Sequence, residues 1–541
     1  MSATLRLYRS AEIRALEHVA IEQHGIAGGE LMRRAAEGAW RALRQRWSAA
    51  RELLVLCGGG NNGGDGYALA AIASRAGLTV RVVAVVPEDA LQGDAAAAMR
   101  ACLAAGIPIS SLDLAALSKW LESSDVIVDA LLGIGLKQTV RTPLAEVIEA
   151  VNASGRPVLA LDVPSGLSAD TGLVQGVAIR AALTVTFIGY KLGLFIGEGP
   201  QQVGELKLDR LQLDHLELGG VQFESRAPAV AELLNVDSLT TVLPPRRPDS
   251  HKGDGGHVVI VGGGRGMPGA ARLAGESALR MGAGRVTVLC HPSSVAAIAA
   301  GRAELMVHGI ERADEALPVL AVADVRLVGP GLGRDDSAFE LLKIALDREA
   351  ACVLDADALT LLPRVWASWS QAPAAGVSRG AAELPWVLTP HPGEAATLLA
   401  SSARSGQPRG AGDIQTDRLA ALAHLVDEYS AVVVLKGAGT WVGGRGRTPA
   451  LCAAGNATLA TAGTGDVLAG AIAGVLAQRL RATSTEPPAA NEHRDALWES
   501  ACAGVWWHAA CADRWQRTVG QGGSRGLLAS ELALALGTGL P

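Results

Sequence analysis

The stretch Thr461 to Gly470, TAGTGDVLAG, sets one carboxylate, Asp466, among small residues at the mouth of a long apolar helix. Transfer of a phosphoryl group needs positive potential where charge builds on the phosphate, and a base beside the attacking hydroxyl. The amides of Gly463, Thr464 and Gly465 at a helix N-terminus supply the first, and Asp466 can supply the second. Lys436 to Thr440, KGAGT, closes an apolar strand, a setting that suits a nucleotide contact. A second set of polar residues lies in the first half: Asn61, Asn62 and Asp65 in GGGNNGGDG, Asp129 in VDALLGIGL, and Asp162 with Ser165 in LDVPSG. Each follows a short apolar run, at the carboxyl edge where ligands sit in open α/β sheets. Hard oxygen donors without a histidine suit a monovalent or alkaline-earth cation better than zinc. Taken singly, these residues also have plain structural readings: Asp65, Asp129 and Asp466 can cap helices, and Asp162 and Ser165 can stabilise a proline turn.

Strands and helices must hold these groups. From Leu53 the chain alternates LLVLC, YALAAIASRAG, VRVVAVV, AAAAMRACLAAG, VIVDAL, LAEVIEAVNASG and VLALDV. Strands apolar on both faces, alternating with helices, mark a parallel sheet covered on both sides. The cluster PPRRP at Pro244 to Pro248 continues neither a helix nor a central strand. A new series starts at HVVIVGGG, so the boundary falls between Val230 and Pro245 and the domains are 1–230 and 231–541. The expected fold class is α/β with two doubly wound domains. Gly58 to Gly66 reads as a loop between strand Leu53 to Cys57 and a helix from Tyr67, exposing amides to an anionic phosphate. Gly58, Gly60 and Gly63 meet GxGxxG, but no acidic residue ends the next strand, and no Gly-Lys-Ser or Gly-Lys-Thr follows. In the second half GGGRGMPG, Gly262 to Gly269, leads into a small-residue helix from Ala270. Gly329 to Gly333 and Thr389 to Glu394 end further strands.

The chain has 541 residues, 49% hydrophobic and 19% charged, enough for several packed cores. Its 48 Lys and Arg against 54 Asp and Glu, with 4% aromatic residues, speak against a nucleic-acid partner. Seven scattered cysteines, never spaced as CxxC, suit a reduced cytoplasmic protein without a zinc site. Leu459 to Ala477 is apolar but contains Asp466 and several glycines, so it reads as a buried helix rather than a membrane span.

Together with GYKLGLFIGEGPQQVGEL, the first-half motifs resemble the YjeF N-terminal family, the NAD(P)HX epimerases, over about Ile13 to Leu213. The resemblance implies a Rossmann-like domain. In it Asn61, Asn62, Gly63, Gly64 and Asp65, with Gly133, Ile134, Gly135, Leu136, Lys137, Gln138 and Thr139, hold the hydrated nucleotide. Asp162 contacts that nucleotide and serves as acid or base, while Asn62, Asp129 and Ser165 bind potassium. Where the family shows LMExAG, this chain reads Leu31-Met32-Arg33-Arg34-Ala35-Ala36.

The second-half segments SHKGDGGHVVIVGG, GMPGAARLAG, GPGLG, LDADAL, TPHPGEAATLL, KGAGT and TAGTGDVLAG resemble the NAD(P)HX dehydratase branch of the ribokinase-like superfamily, over about Leu239 to Leu536. This resemblance implies that Ala270, Gly331, Gly333, His391 and catalytic Asp466 contact the hydrated nicotinamide nucleotide. It places Lys436, Gly437, Ala438, Gly439, Thr440 and Gly465 on ADP or AMP, with magnesium accompanying the ADP. The implied partners are small-molecule nucleotides, without nucleic acid or membrane, in a homo-oligomer. The implied activity is epimerisation of R and S hydrates of NADH and NADPH, and dehydration of the S form with ADP to give AMP and phosphate. Two rivals are a small-molecule kinase, which the GTGD fold also supports, and a first domain that binds nucleotide without catalysing.

Overall fold

The computed structural model describes residues 5–136, 138–218, 221–240, 242–243, 245–346, 349–371, 383–400, 410–482 and 490–539. Contacts divide the chain into two compact units, one running to Glu232 and one from Leu233. In the first, the apolar runs become β1 (Leu5–Tyr8), β2 (Glu52–Cys57), β3 (Thr79–Ala84), β4 (Ile109–Ser111), β5 (Val126–Ala130), β6 (Val158–Leu161), β7 (Leu183–Phe187), β8 (Tyr190–Lys191) and β9 (Glu205–Asp209). Seven of them form a sheet in the order β4-β3-β2-β5-β6-β7-β9, parallel at every pairing. Helices cover both faces, so β5, β6 and β7 are buried along their whole length. Strand order reverses at the β2/β5 pair, and a crevice opens there beyond the carboxyl ends. β1 pairs in parallel with β8, Tyr8 opposite Lys191. A short hairpin of β10 (Glu217–Leu218) and β11 (Val221–Gln222) follows, then β12 (Ala231–Leu233).

The glycine loop is shorter than its sequence suggests. Helix Asn61–Arg75 begins at Asn61 rather than Tyr67, leaving only Gly58, Gly59 and Gly60 outside it. Close packing is the reason. A Cβ on Gly63 would lie 2.0 Å from the Gly58 carbonyl oxygen, and one on Gly66 2.6 Å from Ala130 Cβ. Glycine costs about 1 kcal/mol relative to alanine within a helix. Here that cost is offset by letting the helix dock against the ends of β2 and β5.

The second unit repeats the plan with β13 (His257–Val261), β14 (Arg285–Cys290), β15 (Met306–Gly309), β16 (Val325–Val328), β17 (Cys352–Leu354), β18 (Trp386–Leu388), β19 (Val432–Leu435), β20 (Thr440–Gly443) and β21 (Ala450–Cys452). They run in the order β15-β14-β13-β16-β17-β18-β19-β20-β21. β13 to β19 are parallel, and β20 and β21 turn back antiparallel. The order reverses at β13/β16, which places the second crevice. Helix Thr464–Ala482 lies inside this unit against helix Pro268–Arg280. A Cβ on Gly470 or Gly474 would approach the Ala274 or Ala278 carbonyl oxygen within 2.1 or 2.5 Å. The glycines that follow Asp466 in the sequence thus serve helix packing. Among the described residues no helix is long and apolar enough to cross a membrane. All seven cysteines are buried thiols.

Candidate active sites

At the β2/β5 switch point lies a cleft of about 820 Å³. Asn61, Asn62 and Asp65 reach it from the start of helix Asn61–Arg75. Gly133, Ile134, Gly135, Leu136 and Gln138 come from the turn after β5, and Asp162 from the end of β6. Gly63 and Gly64 instead lie on the packed side of the helix, near Gly58 and Met32. Thr139 is exposed and outside the lining, and Lys137 lies outside the described residues. Helix Gly28–Arg46 contributes Leu31, Met32 and Ala35 to the wall. Its Arg33 and Arg34 pair with Glu30, so the departure from LMExAG brings no acid here. The cleft's carboxylates are Glu17, Asp65, Asp94 and Asp162.

Beneath the cleft, Asp129 is fully buried. Its carboxylate accepts from the Ser165 hydroxyl at 2.5 Å, the Ser165 amide at 2.8 Å and the Leu131 amide at 3.2 Å. Burial pushes its pKa up to about 6 against the pull of these donors. Asn62 Nδ2 donates to the Leu132 carbonyl at 2.8 Å, and Asn62 Oδ1 is left buried without a hydrogen-bond partner. An orphaned acceptor beside a buried carboxylate and a hydroxyl forms a suitable donor set for a hard monovalent cation.

Asp162 holds a left-handed backbone, φ 63°, which costs a non-glycine residue of order 1–3 kcal/mol. Its amide donates to the Val185 carbonyl at 2.8 Å. Its carboxylate receives the ammonium of Lys191, which also donates to Thr186 Oγ1 at 3.0 Å and the Phe187 carbonyl at 2.7 Å. All three ammonium protons are committed, and Lys191 is fully buried, so the charge beside Asp162 is fixed in place. Burial, then the Asp162 charge, raises Glu17, and the same two causes push Asp65 well above the ordinary carboxylate range. The cleft therefore joins a carboxylate held by an ammonium to carboxyls that favour keeping their protons, an arrangement suited to acid/base exchange at one carbon.

In the second unit, Asp466 occupies the first turn of helix Thr464–Ala482. Burial pushes its pKa up to about 7, with Asp355 adding to the rise and Lys436 opposing it. Lys436, at the end of β19, donates to Asp355 Oδ1 at 2.6 Å and lies 3.8 Å from Glu394 Oε2. Burial works against its charge, yet Asp355 and Glu394 outweigh that and its pKa is raised. A Cβ on Gly465 would sit 3.4 Å from Lys436 Nζ and 3.8 Å from Asp355 Oδ2. Lysine, aspartate and helix N-terminus thus meet at one point. The Lys436 side chain faces this centre, and the turn Gly437, Ala438, Gly439 and Thr440 follows it into β20. Arg418 shapes that turn by donating to the carbonyls of Leu435, Lys436 and Ala438 at 3.0, 3.1 and 2.5 Å.

His391 Nδ1 accepts the Gly393 and Glu394 amides at 2.9 and 3.2 Å, and the Glu394 carboxylate accepts the His391 amide at 2.8 Å. This reciprocal cap opens helix Pro392–Ala400. Burial, then the Lys436 charge, lowers the His391 pKa. A Cβ on Gly331 would lie 3.1 Å from Ala270 Cβ, and the Gly333 amide donates to Asp357 at 2.9 Å. A Cβ on Gly463 would reach Leu273 at 2.8 Å. Helix Pro268–Arg280 therefore connects the Gly331 turn to the Asp466 turn.

Family comparisons match the same two regions. Residues 28–193 fit the YjeF-related protein N-terminus, and residues 258–533, just over half of the chain, fit the NAD(P)H-hydrate dehydratase family. A bifunctional NAD(P)H-hydrate repair enzyme Nnr of Coxiella burnetii is 42% identical over 97% of each chain. The chain belongs to the bifunctional NAD(P)H-hydrate repair enzyme family. Its counterpart in Escherichia coli is 39% identical, covering 96% of this chain and 91% of the relative. A solved ADP/ATP-dependent NAD(P)H-hydrate dehydratase from Bacillus subtilis, co-crystallised with ATP and magnesium, is 27% identical over 54% of this chain and 92% of its own, with a TM-score of 0.42.

Motif reading passes over several groups in this family member. Lys191 and Asp355 stand inside the quoted runs GYKLG and LDADAL, and their only signal is a charge within an apolar stretch. His508 and Asp513 lie on helix Ala490–Thr518, outside every motif. His508 Nε2 donates to the Thr464 carbonyl at 3.0 Å, and burial lowers its pKa to about 4, so it stays neutral. Asp513 accepts from the Gly455 amide at 2.9 Å and Asn456 Nδ2 at 2.8 Å. One helix thus pins both ends of the loop leading to Asp466. His508→Ala is expected to lower dehydratase kcat with little change in the KM for ADP, at a stability cost of about 1–3 kcal/mol. His508→Gln, which keeps a donor, should recover part of the loss. Equal kcat in both variants would show that the hydrogen bond does not position the loop.

Proposed function

We propose that the first domain, 1–230, interconverts the R and S hydrates of NADH and NADPH, and that the second, 231–541, dehydrates the S hydrate with ADP, releasing AMP and phosphate. The observation that carries this reading is the meeting of Asp466, Lys436 and a helix N-terminus. In the dehydratase step Asp466 takes the proton of the ring hydroxyl as its oxygen bonds to the β-phosphorus of ADP and AMP departs. Lys436 and the amides of Gly463 to Gly465 stabilise the charge on the transferring group. The ring nitrogen lone pair then expels phosphate with the C–O electron pair, and loss of a proton from the adjacent carbon restores the double bond. Magnesium bound with the ADP phosphates would neutralise their charge. Among the described residues no cluster of three or more acidic, histidine or cysteine side chains forms a metal cage, which fits an ion carried on the nucleotide's own oxygens.

For the epimerase step, protonation of the ring hydroxyl by a carboxyl such as Asp65 lets the ring nitrogen expel water. Water then adds to either face of the planar cation and gives its proton to Asp162. Asn62 Oδ1, Asp129 and Ser165 would hold potassium, which would supply a fixed positive charge below the cleft floor. Replacing potassium with lithium is expected to lower epimerase kcat/KM severalfold while dehydration of pure S hydrate continues unchanged; an epimerase indifferent to the cation would remove this site. The buried thiols suit a reducing compartment, the cytoplasm.

The full chain should be incubated with mixed hydrate epimers and ADP. Complete return of the near-ultraviolet absorbance of the reduced ring, with equal AMP and phosphate, is expected. A small-molecule kinase would accumulate a phosphoester instead. A catalytically silent first domain would leave the R epimer to its spontaneous rate.

A further inference from the structure

Arg418 opens helix Arg418–Tyr429, which packs on β19 and β20 with Leu422 against Gly443. A helix that leads into a parallel strand runs back across the sheet, so its first turn lies at the strand's carboxyl end, where ligands gather. That turn carries a cation, although a helix dipole disfavours positive charge at its N-terminus. The guanidinium is partly buried and its Nε is left without a hydrogen-bond partner. Burial lowers its pKa to about 10 with no acid opposing the fall, so it stays charged at neutral pH. Among the described residues no carboxylate pairs with it. The carbonyls of Leu435, Lys436 and Ala438 occupy it instead.

In a trans peptide the carbonyl and the amide of the next residue point opposite ways. Because the Lys436 and Ala438 carbonyls face Arg418, the Gly437 and Gly439 amides face away from it. Neither amide meets an acceptor among the described residues, whereas the Lys436 amide is held by the Pro390 carbonyl at 2.9 Å. Gly437 has a φ of 150°, and a Cβ there would lie 2.8 Å from Arg418 Nη2, so glycine is what admits the guanidinium. A cation on each carbonyl also polarises the peptide and strengthens the amide beyond it as a donor. Two such amides in one turn suit the oxygens of a diphosphate. We propose that Arg418 is a positioning residue for ADP, holding the turn so that the Gly437 and Gly439 amides meet the diphosphate while the guanidinium itself stays behind the turn. Its unpaired charge adds an attraction for the same anion. This inference rests on the dehydratase reading above, with ADP on this turn.

Arg418→Lys keeps the charge but cannot span three carbonyls, and Arg418→Met keeps a long stem without charge or donors. Both are compared with wild type as full chains, using pure S hydrate and ADP. The KM for ADP should rise by at least about tenfold in Arg418→Met and by less in Arg418→Lys. The kcat at saturating ADP and the KM for the S hydrate should stay at wild-type values, and calorimetric titration with ADP alone should rank the three proteins in the same order. A wild-type KM for ADP in Arg418→Met, or a KM for the hydrate that rises as much as that for ADP, would overturn the proposal. If Arg418→Met does not fold, Arg418→Lys decides by the same measure. Ala438→Glu tests the underlying reading separately, because this exposed position would set a carboxylate beside the diphosphate. If Ala438→Glu leaves the KM for ADP unchanged, ADP does not lie on this turn and the reading fails. If Ala438→Glu raises it and the Arg418 variants do not, only the positioning role is lost.

Discussion

Asp466→Asn is expected to lower dehydration of the S hydrate by about 10²–10⁴-fold, the range for removing a general base, while the R and S hydrates still interconvert at the wild-type rate. The substitution keeps the size of the side chain and removes only its ability to take a proton. Its specificity follows from the fold, because Asp466 belongs to the second unit and the epimerase cleft is built wholly within the first. Loss of both activities would refute two independent sites. The same group sets a pH limb. Burial and Asp355 lift it to about 7 from an ordinary value of 3.8. Dehydratase kcat/KM should therefore fall with unit slope below about pH 7 as the base is protonated. Unfolding does not mimic this. A carboxyl whose pKa is raised by folding burdens the folded state above that pKa and not at low pH, so Asp466→Asn should not lower Tm at pH 8.

Asp162→Asn is expected to slow consumption of the R hydrate to its spontaneous rate of epimerisation and to leave dehydration of the S hydrate unchanged. An asparagine still offers Lys191 an acceptor, so the buried ammonium keeps a partner, but the site loses its base. Wild-type turnover of the R hydrate by this variant would remove Asp162 from the mechanism. Separate R and S time courses, with and without ADP, distinguish that outcome from a general loss of fold.

Some of this site is open to one-dimensional reading because parallel sheets repeat a simple pattern. Apolar runs flanked by glycine or proline turns mark the strand ends, and chemistry in such sheets gathers at carboxyl ends. On that basis Asn61, Asn62, Asp65, Asp129, Asp162 and Ser165 are directed toward one crevice; the structure puts Asn61, Asn62, Asp65 and Asp162 on the wall of one cleft, whereas Asp129 and Ser165 are buried outside its lining. Asp466 is read in the same way from the helix that follows it. Glycine is harder to interpret. A residue without a side chain can admit a phosphate or a neighbouring backbone, and both demands leave the same letter in the sequence. At Gly63, Gly66, Gly470 and Gly474 the neighbour proves to be protein.

The order of strands and helices, the two crevices and the carboxylates that end the strands are determined by the sequence alone, because hydrophobic periodicity and turn chemistry are local. The partners of those carboxylates are not. Lys191 reaches Asp162 across strands, Lys436 meets Asp355 from separate strand ends, and His508 supports Thr464 from a helix far along the chain. Such contacts bring together residues distant in sequence, and burial then sets their charge states, so only the tertiary structure decided which carboxylate holds its proton and which faces a fixed ammonium.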